Sequence, residues 1–136
     1  MNKQIKEPKR IRQYIDTHIW LSFCKLLNNY TLISNNLYMV VKNSICIDTM
    51  NKIKSCKDYM YKSYETKNID EKIKYATYSI SKIKLIDNDI DFLFYSNIIA
   101  NKNHKQLKEN ILDIYSQLQN WMNKLQKDKN KDENIK

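Results

Sequence analysis

The chain has 136 residues, no glycine, one proline (Pro8), three cysteines and a formal charge of +9. That length fits one domain with a core large enough to need no disulfide or metal staple. The missing glycine excludes Gly-rich phosphate loops, dinucleotide fingerprints and nucleophile elbows, whose backbones need a residue without Cβ, and argues against a multi-stranded sheet, whose tight hairpins usually need Gly or Asn-Gly.

Residues 1–9 read as a basic arm ending near Pro8, with Lys3, Lys6, Lys9, Arg10 and Arg12 at or beside it. A first helix is expected over residues 9–28, because Ile11, Ile15, Ile19, Phe23 and Leu26 recur at helical spacing. Asn28 and Asn29 offer a stop, since Asn can replace Gly at a left-handed C-cap. A second helix is expected after Ser34, a plausible N-cap, through Lys67. Its stripe is Leu37, Val41, Ile45, Thr49, Ile53, Cys56, Met60 and Tyr64. A third should run from Asp70 to Ile98 with Ile73, Ala76, Ile80, Ile83, Asp87, Ile90, Phe94 and Asn97 in a seam of alternating three- and four-residue steps. Asp87 falls on that seam, and the favoured reading is that Ile86 and Ile90 carry the burial while Asp87 faces out. A fourth helix is expected over residues 103–127 on Leu107, Ile111, Ile114, Leu118, Trp121 and Leu125, and residues 128–136 read as a disordered charged tail. These segments make an all-α, up-down four-helix bundle over residues 10–127.

Charge is uneven. Residues 1–68 carry 12 basic and 5 acidic side chains, and residues 69–136 carry 12 and 10. If any part faces a polyanion, it is the first half. Five tyrosines (Tyr59, Tyr61, Tyr64, Tyr75 and Tyr78) surround the joint between the second and third helices, interleaved with Lys57, Lys62, Lys67, Lys72 and Lys74. Such interleaving suits base stacking with backbone neutralisation; it equally suits covering the end of the bundle and its subunit contacts, which is the favoured reading.

Catalytic and metal chemistry find little support. Asp87, Asp89 and Asp91 lack the glycine and closing Glu of an EF-hand loop. No Glu-x-x-His pair of a di-metal bundle occurs. His18 and His104 form no Ser/His/Asp or Cys/His constellation and lie at no ligand spacing to a cysteine. No enzyme activity and no cofactor are expected. An odd cysteine count without CxxC suggests reduced thiols in a cytoplasmic protein, residues 1–14 have no apolar run of a secretory leader, and no segment is apolar for long enough to span a bilayer.

The second half also carries ISKIKLID at 80–87, IIANKNHKQL at 98–107 and ILDIYSQLQNWMNKL at 111–125, preceded by SNNLYMVVKNSICIDTMNKI at 34–53. Over residues 12–125 this resembles the Avd-like four-helix bundles, the accessory variability determinants of diversity-generating retroelements, which are related to bundle proteins encoded in intervening sequences of 23S rRNA genes. Lys82, Ile83 and Lys84 stand for that family's Lys–leucine–Arg element, and Asp113, Ile114, Leu118 and Trp121 for its final-helix pattern. Gln119 and Asn120 replace the usual glycines before the Trp, and Val40 lies where a glycine is usual near the start of helix two. The resemblance implies a cyclic homo-oligomer, a homopentamer, that binds the element's reverse transcriptase and template RNA, with cDNA a further partner, and supports mutagenic cDNA synthesis while the polymerase does the catalysis. Residues expected to contact RNA are Lys9, Arg10, Arg12, Lys52, Lys54, Lys82 and Lys84. The rival reading is a structural or protein-interaction bundle of the intervening-sequence type with no nucleic-acid role.

Overall fold

The computed structural model describes residues 18–135, and every regular element among them is helical. Helix α1 spans His18–Ser34. A single turn, α2 (Met39–Val41), passes through a π turn at Lys42–Cys46 into α3 (Ile47–Glu65). Val41, Cys46 and Ile47 all keep right-handed helical torsions, so these three pieces form one rod. Helix α4 spans Ile69–Tyr95 and α5 spans Asn101–Ile135.

Successive rods run antiparallel, as their cross-contacts show. Thr31 meets Met50 and Trp20 meets Lys57 between α1 and α3. Thr49 reaches Asp89 and Ser63 reaches the carbonyl of Lys72 between α3 and α4. Asp91 meets His104 and Asp70 meets Lys129 between α4 and α5. Ser22 with Asp113 and Asn29 with Asn110 close the ring between α1 and α5. This is the expected up-down bundle.

The helix boundaries differ from expectation in four places. Helix α1 does not stop at Asn28 and Asn29 but runs on to Ser34. Asn29 donates across the bundle to Asn110 at 2.8 Å, and Tyr30, one residue on, is buried, so the apolar face continues past the asparagines. Ser34 is no N-cap: it lies buried in the last turn of α1 and donates to the carbonyl of Thr31. The next rod starts only at Met39. Asn97 is no seam residue; it takes φ 61°, the left-handed stop after α4, and the Ile98 N–H returns to the Leu93 carbonyl at 2.8 Å. Residues 128–135 continue α5 instead of forming a tail, and Lys129 pairs with Asp70 at 3.0 Å.

Asn68 does cap α4, its Oδ1 accepting from the N–H groups of Asp70 and Glu71 at 2.9 and 3.1 Å. The two carboxylates of that first turn also complement the helix dipole. The predicted seams of α3, α4 and α5 supply most of the core. Ile53, Cys56, Ile83, Ile90, Leu107 and Ile114 are all essentially inaccessible. Ile86 is buried as well, and Asp87 turns outward to Lys108, as the favoured reading had it. Cys46, just before α3, is buried although it lies off the predicted stripe, because the wider π turn carries the helix face round by a residue.

Two polar groups in the core behave differently. Cys56 Sγ lies 3.3 Å from Ser79 Oγ, whose hydroxyl donates back to the Cys56 carbonyl at 2.8 Å. Burial pushes the Cys56 thiol up to about 12. The Tyr30 hydroxyl is buried beside Thr49 and Cys46 without a hydrogen bond of good geometry among the described residues, and burial raises it well above the ordinary phenol value.

Three outcomes follow. Ile90→Ala should cost about 2–5 kcal/mol, since it empties a fully buried site. Tyr30→Phe should leave stability unchanged or raise it by about 1 kcal/mol, because it removes an unsatisfied buried hydroxyl. Urea titration followed by circular dichroism measures both. A thiol reagent should label exposed Cys24 in the native protein, and reach Cys46 and Cys56 only after denaturation.

Candidate nucleic-acid interface

The α3–α4 joint is short and tightly fastened. Helix α3 ends at Glu65, Thr66 Oγ1 donates to Glu71 Oε2 at 2.9 Å, and Asn68 caps α4. The hairpin therefore sets side chains two turns before the joint against side chains two turns after it. Tyr59 of α3 meets Tyr75 and Tyr78 of α4 in this way. The Tyr59 and Tyr78 rings meet edge to face at 5.3 Å, Tyr75 and Tyr78 at 6.3 Å, and Tyr59 and Tyr75 lie nearly parallel at 6.4 Å. These separations suit aromatic pairs. Lys62 Nζ stands 5.8 Å from the centres of both Tyr59 and Tyr75, and Lys74 Nζ stands 5.3 Å from Tyr75. Tyr59 and Tyr75 are half-buried, while Tyr78, Lys62 and Lys74 are exposed.

The five tyrosines around the joint thus divide into two groups. Tyr64 instead packs on Trp121 at 5.9 Å, toward the core. There Trp121 Nε1 donates to Ser63 Oγ at 2.8 Å, and Lys72 Nζ donates to the carbonyls of Ser63 and Tyr64. Tyr61 also packs against the core. Two of the five thus serve the core, and three form an outward patch with two lysines.

The seven residues expected to contact RNA do not assemble into one site. Lys9, Arg10 and Arg12 lie outside the described residues. Lys52 is committed inside the fold: its ammonium sits 2.7 Å from Asp89 and 3.2 Å from Asp48, and the hydrogen bond to Asp89, ahead of the other contacts, raises its pKa. Lys54 is exposed on α3. Lys82 and Lys84 diverge, because two residues turn a helix by about 200°. Lys82 follows Tyr78 by one turn on the α3 side. Lys84 lies on the α5 side, lining a groove of about 880 Å³ with Asn88, His104, Leu112 and Tyr115. Lys62 and Lys74 were missed as site residues; the signal available was their interleaving with the tyrosines.

The same alternation divides the three aspartates. Asp89 turns to α3, where Thr49 Oγ1 and Lys52 donate to it. Asp87 and Asp91 turn to α5, where Lys108 Nζ lies 2.6 and 3.0 Å from them and His104 Nε2 lies 2.8 Å from Asp91. Phe94 stacks on His104 at 4.0 Å. Partial burial opposes charge on Asp91, but the hydrogen bonds from His104 and Lys108 outweigh it and hold its carboxyl below the ordinary value. Partial burial likewise opposes charge on Lys108, and its bonds to Asp87 and Asp91 outweigh that and raise it. Among the described residues no group of His, Cys, Asp or Glu side chains is placed to hold a metal ion, and no helix is long and apolar enough to cross a membrane.

No family model, curated protein or solved structure matches the chain.

The Asp91 cluster predicts an acid dependence of stability. A carboxyl whose folded pKa is lowered stabilises the fold above its unfolded value, and that contribution is lost as pH falls through the folded pKa. Asp91→Asn should be less stable than the parent at neutral pH, and the gap should shrink on acidification below about pH 4. Urea midpoints across that range measure it, and a gap that stays constant would show that Asp91 does not titrate as this geometry requires.

Proposed function

We propose that this chain is a cytoplasmic, non-catalytic bundle that binds single-stranded RNA on the outer α3–α4 face, as an accessory to an RNA-copying enzyme. The observation that carries this reading is the outward set of three mutually contacting tyrosine rings, Tyr78 exposed and Tyr59 and Tyr75 half-buried, flanked by Lys62 and Lys74. Aromatic faces accept any base by stacking, and neighbouring ammonium groups neutralise phosphates without reading sequence. Lys82, one turn beyond Tyr78, extends the basic edge along α4. By the Avd-like resemblance, the enzyme served is a reverse transcriptase, with template RNA as the first ligand and cDNA as a second. In that setting the chain holds the template while the polymerase does the chemistry.

A second reading, an interaction bundle without a nucleic-acid role, draws on the α1–α2 joint. Tyr38, Met39 and Val40 stand 74–87% exposed there, an apolar run of the kind that marks protein contacts.

Fluorescence anisotropy with an end-labelled oligouridylate separates the two. Tyr59→Ala and Tyr75→Ala should each weaken binding about 5-fold or more. Each of Lys62→Ala and Lys74→Ala should reduce the slope of log affinity against log salt by about 0.7. Lys82→Glu should weaken binding more than Lys84→Glu, because only Lys82 lies on the tyrosine side. Binding indifferent to all of these, or absent at low salt, would leave the interaction-bundle reading.

A further inference from the structure

Helix α4 buries one face in the core and turns another to solvent. Tyr78, Leu85 and Phe92 follow one another at intervals of seven, with Ser81, Asn88 and Tyr95 between them at the three-residue offset. That is the a/d spacing of a coiled-coil seam, yet these six positions lie on the side of α4 opposite Ile83, Ile86 and Ile90. Tyr78, Leu85, Phe92 and Tyr95 are 43, 44, 55 and 76% exposed. A helix in a four-helix bundle needs one apolar stripe; α4 carries two.

Charge along α4 is segregated too. Residues 72–84 hold Lys72, Lys74, Lys82 and Lys84 and no carboxylate, whereas residues 85–95 hold Asp87, Asp89 and Asp91 and no base. The aspartates have partners within the fold, but four carboxylates (Asp48, Asp87, Asp89 and Asp91) meet two ammonium groups there, those of Lys52 and Lys108, with the His104 ring also on Asp91. A parallel pair of α4 helices would oppose lysine to lysine and aspartate to aspartate. An antiparallel pair opposes lysine to aspartate on both flanks.

We propose that two copies of this chain pair antiparallel through the outer face of α4, about a two-fold axis that crosses the helix between Ile86 and Asp87. In this register Tyr78 packs on Tyr95 of the partner subunit, Ser81 receives Phe92 of the partner subunit, and Leu85 covers Asn88 of the partner subunit. Small therefore meets large at the Ser81 position. Lys82 and Lys84 approach the partner's Asp89 and the partner's Asp91. The contact is isologous, so it closes at two copies. The pairing does not depend on RNA binding, although the two surfaces share Tyr78 and Lys82 at their border; association is therefore read with no RNA present.

Sedimentation equilibrium of the full chain at micromolar concentration should give twice the 16.5 kDa chain mass. Leu85→Asp with Phe92→Asp should return the monomer without loss of helicity, since both side chains lie outside the core. Lys82→Glu with Lys84→Glu should weaken association at low salt. Spin labels placed singly at Asn88→Cys and Lys74→Cys in a Cys24→Ser background test direction. The antiparallel register puts the Asn88 labels close enough to broaden each other's spectra and the Lys74 labels about 37 Å apart along the axis at 1.5 Å per residue. Equal, short separations at both sites would mean a parallel pair and overturn the proposal. So would a monomeric parent, a five-copy ring as the family resemblance implies, or a dimer untouched by the Leu85 and Phe92 changes. If the paired variant loses helicity, the label distances in the otherwise unchanged chain still decide.

Discussion

Burial of the isoleucine face of α4 is the interaction on which the rest of the bundle depends. Ile83, Ile86 and Ile90 are at most 1% exposed, as are Leu107, Ile114 and Leu118 on α5. Each such side chain contributes about 1.5–3 kcal/mol when taken from water. That attraction is non-directional, so it collapses the helices together without choosing between registers one turn apart. The choice is made by polar contacts at the seam edges. Cys56 and Ser79 exchange contacts at 3.3 and 2.8 Å within the α3–α4 pair. Lys52 with Asp89, and Lys108 with Asp87 and Asp91, fasten α4 to a neighbour on either side. A slip of one turn would strand these groups unpaired in partly buried positions, which costs more than the bonds themselves contribute.

The helical stripes were legible because they rest on a periodicity that apolar burial enforces. Ile53, Cys56 and Met60, then Ile80, Ile83 and Ile90, then Leu107 through Leu125, all lie where spacing placed them. The boundaries were less legible, because an asparagine has several uses. Asn68 caps a helix, Asn97 ends one in the left-handed region, and Asn29 reaches across the bundle from mid-helix. Only tertiary context separates these roles. The π turn at Lys42–Cys46 leaves no mark in composition, and it moves Cys46 into the core off the expected stripe. The charged C-terminal residues read as tail because they lack an apolar stripe, yet they extend an established helix at the low cost of propagation.

At the candidate site, the residue types were legible and their grouping was not. Tyrosine interleaved with lysine pointed to the α3–α4 joint, but sequence proximity suggested five equivalent rings. The structure sends Tyr61 and Tyr64 toward the core and keeps Tyr59, Tyr75 and Tyr78 outside. Lys82 and Lys84 looked like one basic element, although the helical turn places them on opposite flanks of α4. Lys52 looked as available as Lys54, and nothing local marks it as the partner of Asp89, 37 positions away.

Net charge is consequently a poor guide to where a polyanion would be attracted. A lysine held against a carboxylate, such as Lys52 or Lys108, has most of its field cancelled within the fold. A lysine over an aromatic ring is positioned by the ring quadrupole but not neutralised by it. Lys62 and Lys74 are of the second kind. They present full positive charge, already oriented and beside surfaces on which a base can stack, so less side-chain freedom remains to be lost when a ligand arrives. Salt screens an exposed charge over about 8–10 Å at physiological strength, so a distant excess of lysine does little, and charges set within one base's reach of a stacking ring do most. The nucleic-acid reading therefore rests on the placement of two lysines against two of three contacting rings and not on a formal charge of +9.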